Sequence, residues 1–275
     1  MPRKTARPHG PADGDLGGTR LIETLLAGWR ALARIDVDGF ALLRSRGVTK
    51  RADSVVPLAP PSDPTALAGA LETIEQLAAA SGGSPVHRLF EIEEIDHTGV
   101  RAALESRGFA PSAPTAILHR ALESPGRVDP RARAAVGAPP RECLDQHWLL
   151  APRPEDGARA TIAEIMSGTP AVYIALHEAG REDALAVGRA ALVPHRRGAV
   201  AVLDAIAVDQ ERRREGLGRA AVQSLLALAA QQGASRAILE VESSNAPALG
   251  LYRSERFRPL GTYAYFSLPG HGGRH

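Results

Sequence analysis

The segment Val208-Asp-Gln-Glu-Arg-Arg-Arg-Glu-Gly216-Leu-Gly218-Arg219, followed by the largely apolar stretch Ala220 to Leu228, decides the fold of this chain. A strand ends at Val208, a charged turn follows, and the turn enters a helix through Gly216 and Gly218. Glycines at that point let backbone approach a ligand closely. The first helical turn adds unpaired N–H donors and a partial positive charge. Together they form an anion site suited to phosphate, so a phosphate-bearing ligand is expected.

Three glycine-rich patterns compete for the segment. A Walker loop needs Lys and then Ser or Thr after its last glycine, whereas Gly218 is followed by Arg219-Ala220. Gly216-Leu-Gly218-Arg-Ala-Ala221 fits a Rossmann fingerprint, with Glu240 or Glu242 at the distance of a ribose contact. Against this, Asp209 to Glu215 separates the glycines from the strand, and too little chain follows Glu242 for a doubly wound sheet. The third pattern is Arg213-Arg-Glu-Gly216-Leu-Gly218, of the form [Q/R]-x-x-G-x-[G/A]. Upstream lies Leu203-Asp-Ala-Ile206-Ala-Val208. Downstream lie Asn245-Ala-Pro-Ala-Leu-Gly-Leu-Tyr252, of the form N-x-x-A-x-x-L-Y, and then Phe257.

In these residues, over roughly Ala171 to Leu268, the chain resembles the GNAT superfamily of acetyl-CoA-dependent N-acetyltransferases. The resemblance implies an α/β fold of the α+β type, a mixed central sheet flanked by helices. It implies acetyl-CoA as cosubstrate, held by Ile206, Ala207 and Val208 on one strand, by Arg213, Arg214, Glu215, Gly216, Leu217, Gly218 and Arg219 at the loop and helix start, and by Asn245. Tyr252 stands where the family's general acid stands. A backbone N–H near Ile206 would polarise the thioester carbonyl, and an amine would attack directly. The family's frequent glutamate is Ala205 here. Asp204 is the replacement by residue type, and strand alternation expects its side chain on the face opposite Ala205. Glu240, Glu242 or a water chain are further candidates for the base. The family's usual glycine before Phe257 is Arg256, so that turn is expected to be reshaped.

The residues alone leave some roles open. Asp209 to Glu215 holds three acids and three arginines, so its formal charge is zero and backbone N–H groups must supply most of a phosphate grip. Arg213 and Arg214 either add charge-assisted bonds or pair with Glu211 and Glu215. Asn245 either caps a helix or also bonds the cosubstrate. Tyr263 and Tyr265 share a strand face and either pack or line an acceptor site. Cys143 has no expected chemical role, and the nine histidines show no metal-ligand spacing, so no metal is expected.

A chain of 275 residues with 44% apolar content can hold two domains. The single cysteine excludes an intrachain disulfide framework. No apolar run reaches the ~18 residues of a membrane span. The net charge of +2 gives little reason to expect nucleic-acid binding. A cytoplasmic protein is expected, with an amine of a small molecule or protein as acceptor and the oligomeric state open.

The expected organisation is a disordered tail over 1–18, a divergent non-catalytic GNAT-like domain over 19–122, a linker over 123–141, a catalytic domain over 142–268 and a frayed tail over 269–275. Residues Asp38 to Pro57 carry the likeness of the first half to tandem GNAT proteins. Leu104-Glu-Ser-Arg-Gly-Phe109 also echoes Tyr252-Arg-Ser-Glu-Arg-Phe257. A helix is expected over Thr19–Ala33, a short helical turn over Arg131–Val136, and strands at Phe40–Leu43, Ser54–Leu58, Arg88–Ile92 and Thr115–Leu122. Two other functions fit parts of the pattern: an acetyl-CoA sensor without efficient catalysis, and a dinucleotide-binding oxidoreductase.

Overall fold

The computed structural model describes residues 16–270 apart from 82, 124, 125, 154, 155 and 197. The first half runs α1 (Gly18–Gly28), β1 (Ala33–Val37), β2 (Phe40–Arg44), β3 (Val55–Pro57), α2 (Pro64–Ala80), β4 (His87–Ile92), α3 (Thr98–Ser106) and β5 (Ala110–Ala121). The second runs β6 (Ala132–Gly137), α4 (Arg141–Leu150), α5 (Asp156–Ser167), β7 (Ala171–His177), β8 (Ala184–His195), β9 (Gly198–Val208), α6 (Leu217–Gln231), β10 (Ala234–Glu242), α7 (Ala246–Ser254) and β11 (Arg258–Ser267). The strands form one mixed sheet in the order β1-β2-β3-β4-β11-β5-β10-β9-β8-β7-β6. Among the described residues no helix is long and apolar enough to cross a membrane.

That order shows an exchange. The final strand of each half leaves its own penultimate strand and pairs with that of the other half. β11 runs antiparallel to β4, from Gly261↔Ile92 to Phe266↔His87. β5 runs antiparallel to β10, from Glu242↔Thr115 to Arg236↔Ala121. The two exchanged strands pair with each other at the centre, where Ala110 faces Ser267 and Arg258 faces His119. Ala110 follows Phe109 and Arg258 follows Phe257, so the contact is two-fold and the sequence echo is a structural repeat. Phe109 N–H donates to Leu104 O at 3.1 Å, and Phe257 N–H donates to Tyr252 O at 3.0 Å.

The preceding turn is also the same in both halves. Gly108 N–H donates to Glu105 O and Arg256 N–H to Arg253 O. Gly108 has φ +84 and Arg256 φ +62. Arg256 therefore does not reshape the turn. It adopts the left-handed backbone a glycine would, at a cost of about 1 kcal/mol.

Helices cover both faces. On one face α1 and α5 pack Leu21, Ile22, Leu25, Ile162 and Ile165 against Tyr173, Val202, Ile238 and Tyr263. On the other, α6 and α7 bury Leu217, Ala221, Leu225 and Tyr252 over the second half. There α2 and α3 bury Leu71, Ile74 and Leu104 with Phe266 of β11 over the first half. The Asp63 carboxylate caps α2 by accepting from Ala66 N–H at 2.8 Å.

Several boundaries differ from the sequence reading. α1 stops at Gly28, and 33–37 instead form a hairpin with β2 through Asp38 and Gly39, both at positive φ. This is the Asp-Gly two-residue turn. Residues 132–137 are a sheet-edge strand rather than a helical turn, because β7 offers a partner edge from Ala171 to Leu176. The expected linker 123–141 thus contains β6. β5 begins at Ala110, five residues before Thr115, since β11 extends its ladder. α4 and α5 were not anticipated. The expected tails over 1–18 and 269–275 lie outside the described residues except for 16–18 and 269–270, and Gly18 opens α1.

Gly261 makes the exchange sterically possible. A Cβ there would lie 2.1 Å from Ile92 Cγ2 and 2.8 Å from the Glu91 carbonyl oxygen. Gly261→Ala is expected to destabilise the protein by about 1–3 kcal/mol, read as a lower urea midpoint at unchanged slope.

Candidate active site

β9 and β10 are parallel and pair from Ala234↔Ala199 to Leu239↔Leu203. Beyond that point they separate, although β9 continues to Val208 and β10 to Glu242. The cause is a bulge in β9. Its ladder with β8 runs from Arg189↔Asp204 to Val187↔Ala207, so Gly188 faces both Ala205 and Ile206. Ala205 takes φ +51. A Cβ on Gly188 would meet Leu225 Cδ1 at 2.8 Å, so any larger residue opposite the bulge must displace that side chain.

The bulge cancels the alternation expected from sequence. Asp204 and Ala205 both face the α1 side of the sheet, where Asp204 meets Arg189 and Ala205 packs with the core beneath α1. Beyond the bulge, Asp209 N–H donates to Leu185 O on β8 at 2.9 Å. Alternation back from Asp209 turns the N–H groups of Ile206 and Val208 toward the opened side.

The charged turn delivers the chain to α6 through Arg214 at φ +69 and Gly216 at φ +81. Gly216 is the N-cap of α6 and supplies no side-chain cap. A Cβ on it would meet nothing within 4 Å. No side chain therefore caps the first turn of α6, whereas in α2 Asp63 takes the Ala66 N–H behind Pro64.

The arginines of the turn divide. Arg212 pairs with Glu215 at 2.8 Å and Glu178 at 3.2 Å. Arg213 and Arg214 are exposed and have no ion-pair partner among the described residues. Leu217 is buried. Gly218 lies against α7, where a Cβ would sit 3.3 Å from Leu251 Cδ2. The Arg219 guanidinium is held by Ser254 at 3.1 Å and Glu255 at 3.1 Å. Asn245 Oδ1 accepts from Ala248 N–H at 3.2 Å and so caps α7.

Tyr252 on α7 packs edge-on against Phe257, and burial pushes its phenol up to about 12. Asp204 is fully buried beside Arg189 at 2.6 Å. Burial raises the Asp204 carboxyl pKa, with Arg189 pulling against it. Arg189 Nη1 also donates to Gly28 O at 3.0 Å, its Nη2 to Met166 O at 3.0 Å, and its Nε to Tyr173 Oη at 3.2 Å. One buried guanidinium thus ties α1, α5, β7, β8 and β9. Cys143 is half-buried, and burial raises its thiol pKa.

A cavity of about 620 Å³ lies on the α1 face beside the opened strands. It is lined by Ala205 of β9, Glu240 and Glu242 of β10, and Tyr263 and Tyr265 of β11. Trp29, Lys50 and Arg51 enter from the first half, and His147 from α4. The two tyrosines share one face, as alternation on β11 expects, and both are buried in the core at the edge of the cavity. Glu240 is clasped by Arg88 and by Arg51 at 3.3 Å, and its side chain is only 2% exposed. Arg51 stacks over Trp29 at 4.6 Å. Glu242 is exposed, and its carboxylate accepts from the Ser244 hydroxyl at 3.5 Å. Burial lowers His147 to about 4, so its ring is neutral at pH 7. No local motif marks Trp29, Lys50, Arg51 or His147, which come together only through the exchange and the packing of α1 and α4.

An uncapped helix start, a bulge-opened pair of parallel strands and a cavity beside them make up the candidate site. The acetyltransferase (GNAT) family matches residues 141–256. A GCN5-related N-acetyltransferase from Kribbella flavida is 21% identical with a TM-score of 0.66, covering 92% of this chain and 96% of that one. A tandem GNAT protein from the clavulanic acid biosynthesis pathway is 13% identical with a TM-score of 0.61, covering 78% and 73%. A GCN5-related N-acetyltransferase from Sphaerobacter thermophilus is 13% identical with a TM-score of 0.53, covering 82% and 76%. No curated protein matches the sequence. Residues 141–256 thus match the GNAT acetyltransferase family, and the chain has the fold of GNAT proteins, a tandem one among them.

Removing one partner of a buried ion pair leaves an uncompensated charge. Asp204→Ala is therefore expected to lose about 3–5 kcal/mol of stability, measured by urea denaturation. An unchanged midpoint would remove Asp204 from the structural role described here.

Proposed function

We propose that the chain transfers the acetyl group of acetyl-CoA to a primary amine, on a small molecule or a protein, by direct attack in a ternary complex. The observation that carries this reading is the separation of β9 and β10 beyond Leu203 and Leu239. It leaves strand backbone unpaired between the uncapped start of α6 and the cavity holding Glu240 and Glu242. Acetyl-CoA, when bound, supplies an activated acetyl thioester.

The chain's own groups then take these roles. The N–H groups from about Arg214 to Arg219 bind phosphate, with Arg213 and Arg214 adding charge. The N–H groups of Ile206 and Val208 hold the arm and the thioester oxygen, and the backbone of Ala207 continues that strand edge. Leu217 and Gly218 set the helix start by packing, Glu215 holds Arg212, and Asn245 fixes the entry to α7. Glu242, exposed on the cavity, accepts the proton of the incoming ammonium. Glu240 stays clamped by two guanidiniums and orients the acceptor. Tyr252 is protonated throughout the physiological range and returns a proton to the departing thiolate. Asp204 positions Arg189 and touches no substrate. The first half, about 19–122, is non-catalytic: the α2 start that could have met a phosphate is filled by the Asp63 carboxylate and Pro64. It contributes walls to the catalytic half, about 142–268.

Acetyl-CoA is expected to raise the melting temperature, and a panel of amines to release coenzyme A. Stabilisation by NAD alone would overturn the reading, and acetyl-CoA binding with no turnover on any amine would favour a sensor. Tyr252→Phe and Glu242→Gln are each expected to lower kcat about 10- to 100-fold with acetyl-CoA affinity retained. Wild-type turnover in either variant removes that residue from the mechanism.

A further inference from the structure

On the α6 and α7 side of the sheet, a second cavity of about 700 Å³ lies at the far end from the opened strands. It takes the start of β10 at Arg236, whereas the opening is at Glu240 to Glu242. It takes Gln223 and Leu226 from the middle of α6, well past Gly216. Five arginines line it, Arg120, Arg127, Arg236, Arg256 and Arg258, against two acids, Glu123 and Glu255. The Glu255 carboxylate is already held by Arg219 at 3.1 Å and by Gln223 at 3.2 Å, with Arg120 at 3.6 Å. The lining thus has a formal excess of positive charge comparable to that of the whole chain, which is only +2.

Arg256 supplies an independent observation. It keeps the left-handed backbone at φ +62 that Gly108 takes at the equivalent turn of the first half. A non-glycine residue in that region is strained, and strain of this kind concentrates at functional positions. Arg256 and Arg258 are exposed and have no carboxylate partner among the described residues. We propose that this groove binds the di- or triphosphate chain of a small molecule, at a site separate from the α6 start. Several guanidinium forks converging on one ligand suit tetrahedral oxyanions of high charge. The lining holds no Phe, Tyr or Trp on which the bases of a single strand would stack, which disfavours nucleic acid.

Inorganic tripolyphosphate titrated into the full chain by calorimetry tests this. The expected result is binding that persists in saturating coenzyme A and weakens about 5- to 20-fold in Arg256→Gly and in Arg258→Gln. Arg256→Gly relieves the backbone, so its melting temperature should stay level or rise, which separates lost binding from lost fold. Three results would overturn the proposal: no binding, binding abolished by coenzyme A and untouched by Arg256→Gly, or equally tight binding of citrate. None of these outcomes bears on acetyl transfer at the other site, which the amine assay reads separately.

Discussion

Exchange of the terminal strands is the constraint on which the rest of this structure depends. β11 is hydrogen-bonded on both sides to strands of the first half, and β5 bridges β10 to β11. Neither half completes its own sheet. The exchange carries Tyr263 and Tyr265 to the cavity and Phe266 into the core beneath α2 and α3. It also brings Arg88 of β4 onto Glu240 of β10. Both members of that pair are buried, and a buried charge is tolerated only with a well-placed partner. Arg88 further lies over the Tyr263 ring at 4.0 Å, so one guanidinium joins three strands from both halves.

The second constraint is the bulge at Ala205. One extra residue opposite Gly188 ends the β9–β10 ladder and opens the cleft. A left-handed alanine costs about 1–2 kcal/mol, which the surrounding ladder and the Arg189 cluster must offset. That cluster sits directly beneath the bulge, where Asp204 neutralises a guanidinium that also closes the carbonyl ends of α1 and α5. Rigidity below the bulge and unpaired backbone beside it are two consequences of the same stretch. The two helix starts make a parallel contrast. α6 begins at a bare glycine, and α2 begins at Asp63 and Pro64. A carboxylate at the α2 start places negative charge where the α6 start has none, so the halves differ electrostatically where their topology is alike.

Much of the fold was legible because its signals are local. The short apolar runs expected as strands at Phe40–Leu43, Ser54–Leu58 and Arg88–Ile92 are β2, β3 and β4, and the glycines before Ala220 open α6 as expected. The misread segments have non-local causes. β6 is alanine-rich and takes strand form only because β7 presents an edge. α1 ends at Gly28 because its last carbonyl bonds Arg189, which is far away in sequence. The Asp38-Gly39 turn, by contrast, is a local hairpin signal.

The site divides along the same line. Gly216, Gly218, the arginines of the turn, Asn245 and Tyr252 form short-range patterns, so the sequence sufficed to place a glycine-led helix start at Leu217 and a second helix carrying Tyr252. It did not reveal that Asp204 shares a face with Ala205, because an alanine at positive φ leaves no compositional trace. Nor did it reveal that Trp29, Lys50 and Arg51 wall a cavity beside Glu240 and Glu242. Those contacts exist because β11 crosses between β4 and β5. Strand exchange is settled by pairing and burial summed over the whole sheet, a balance that no segment of the chain encodes alone.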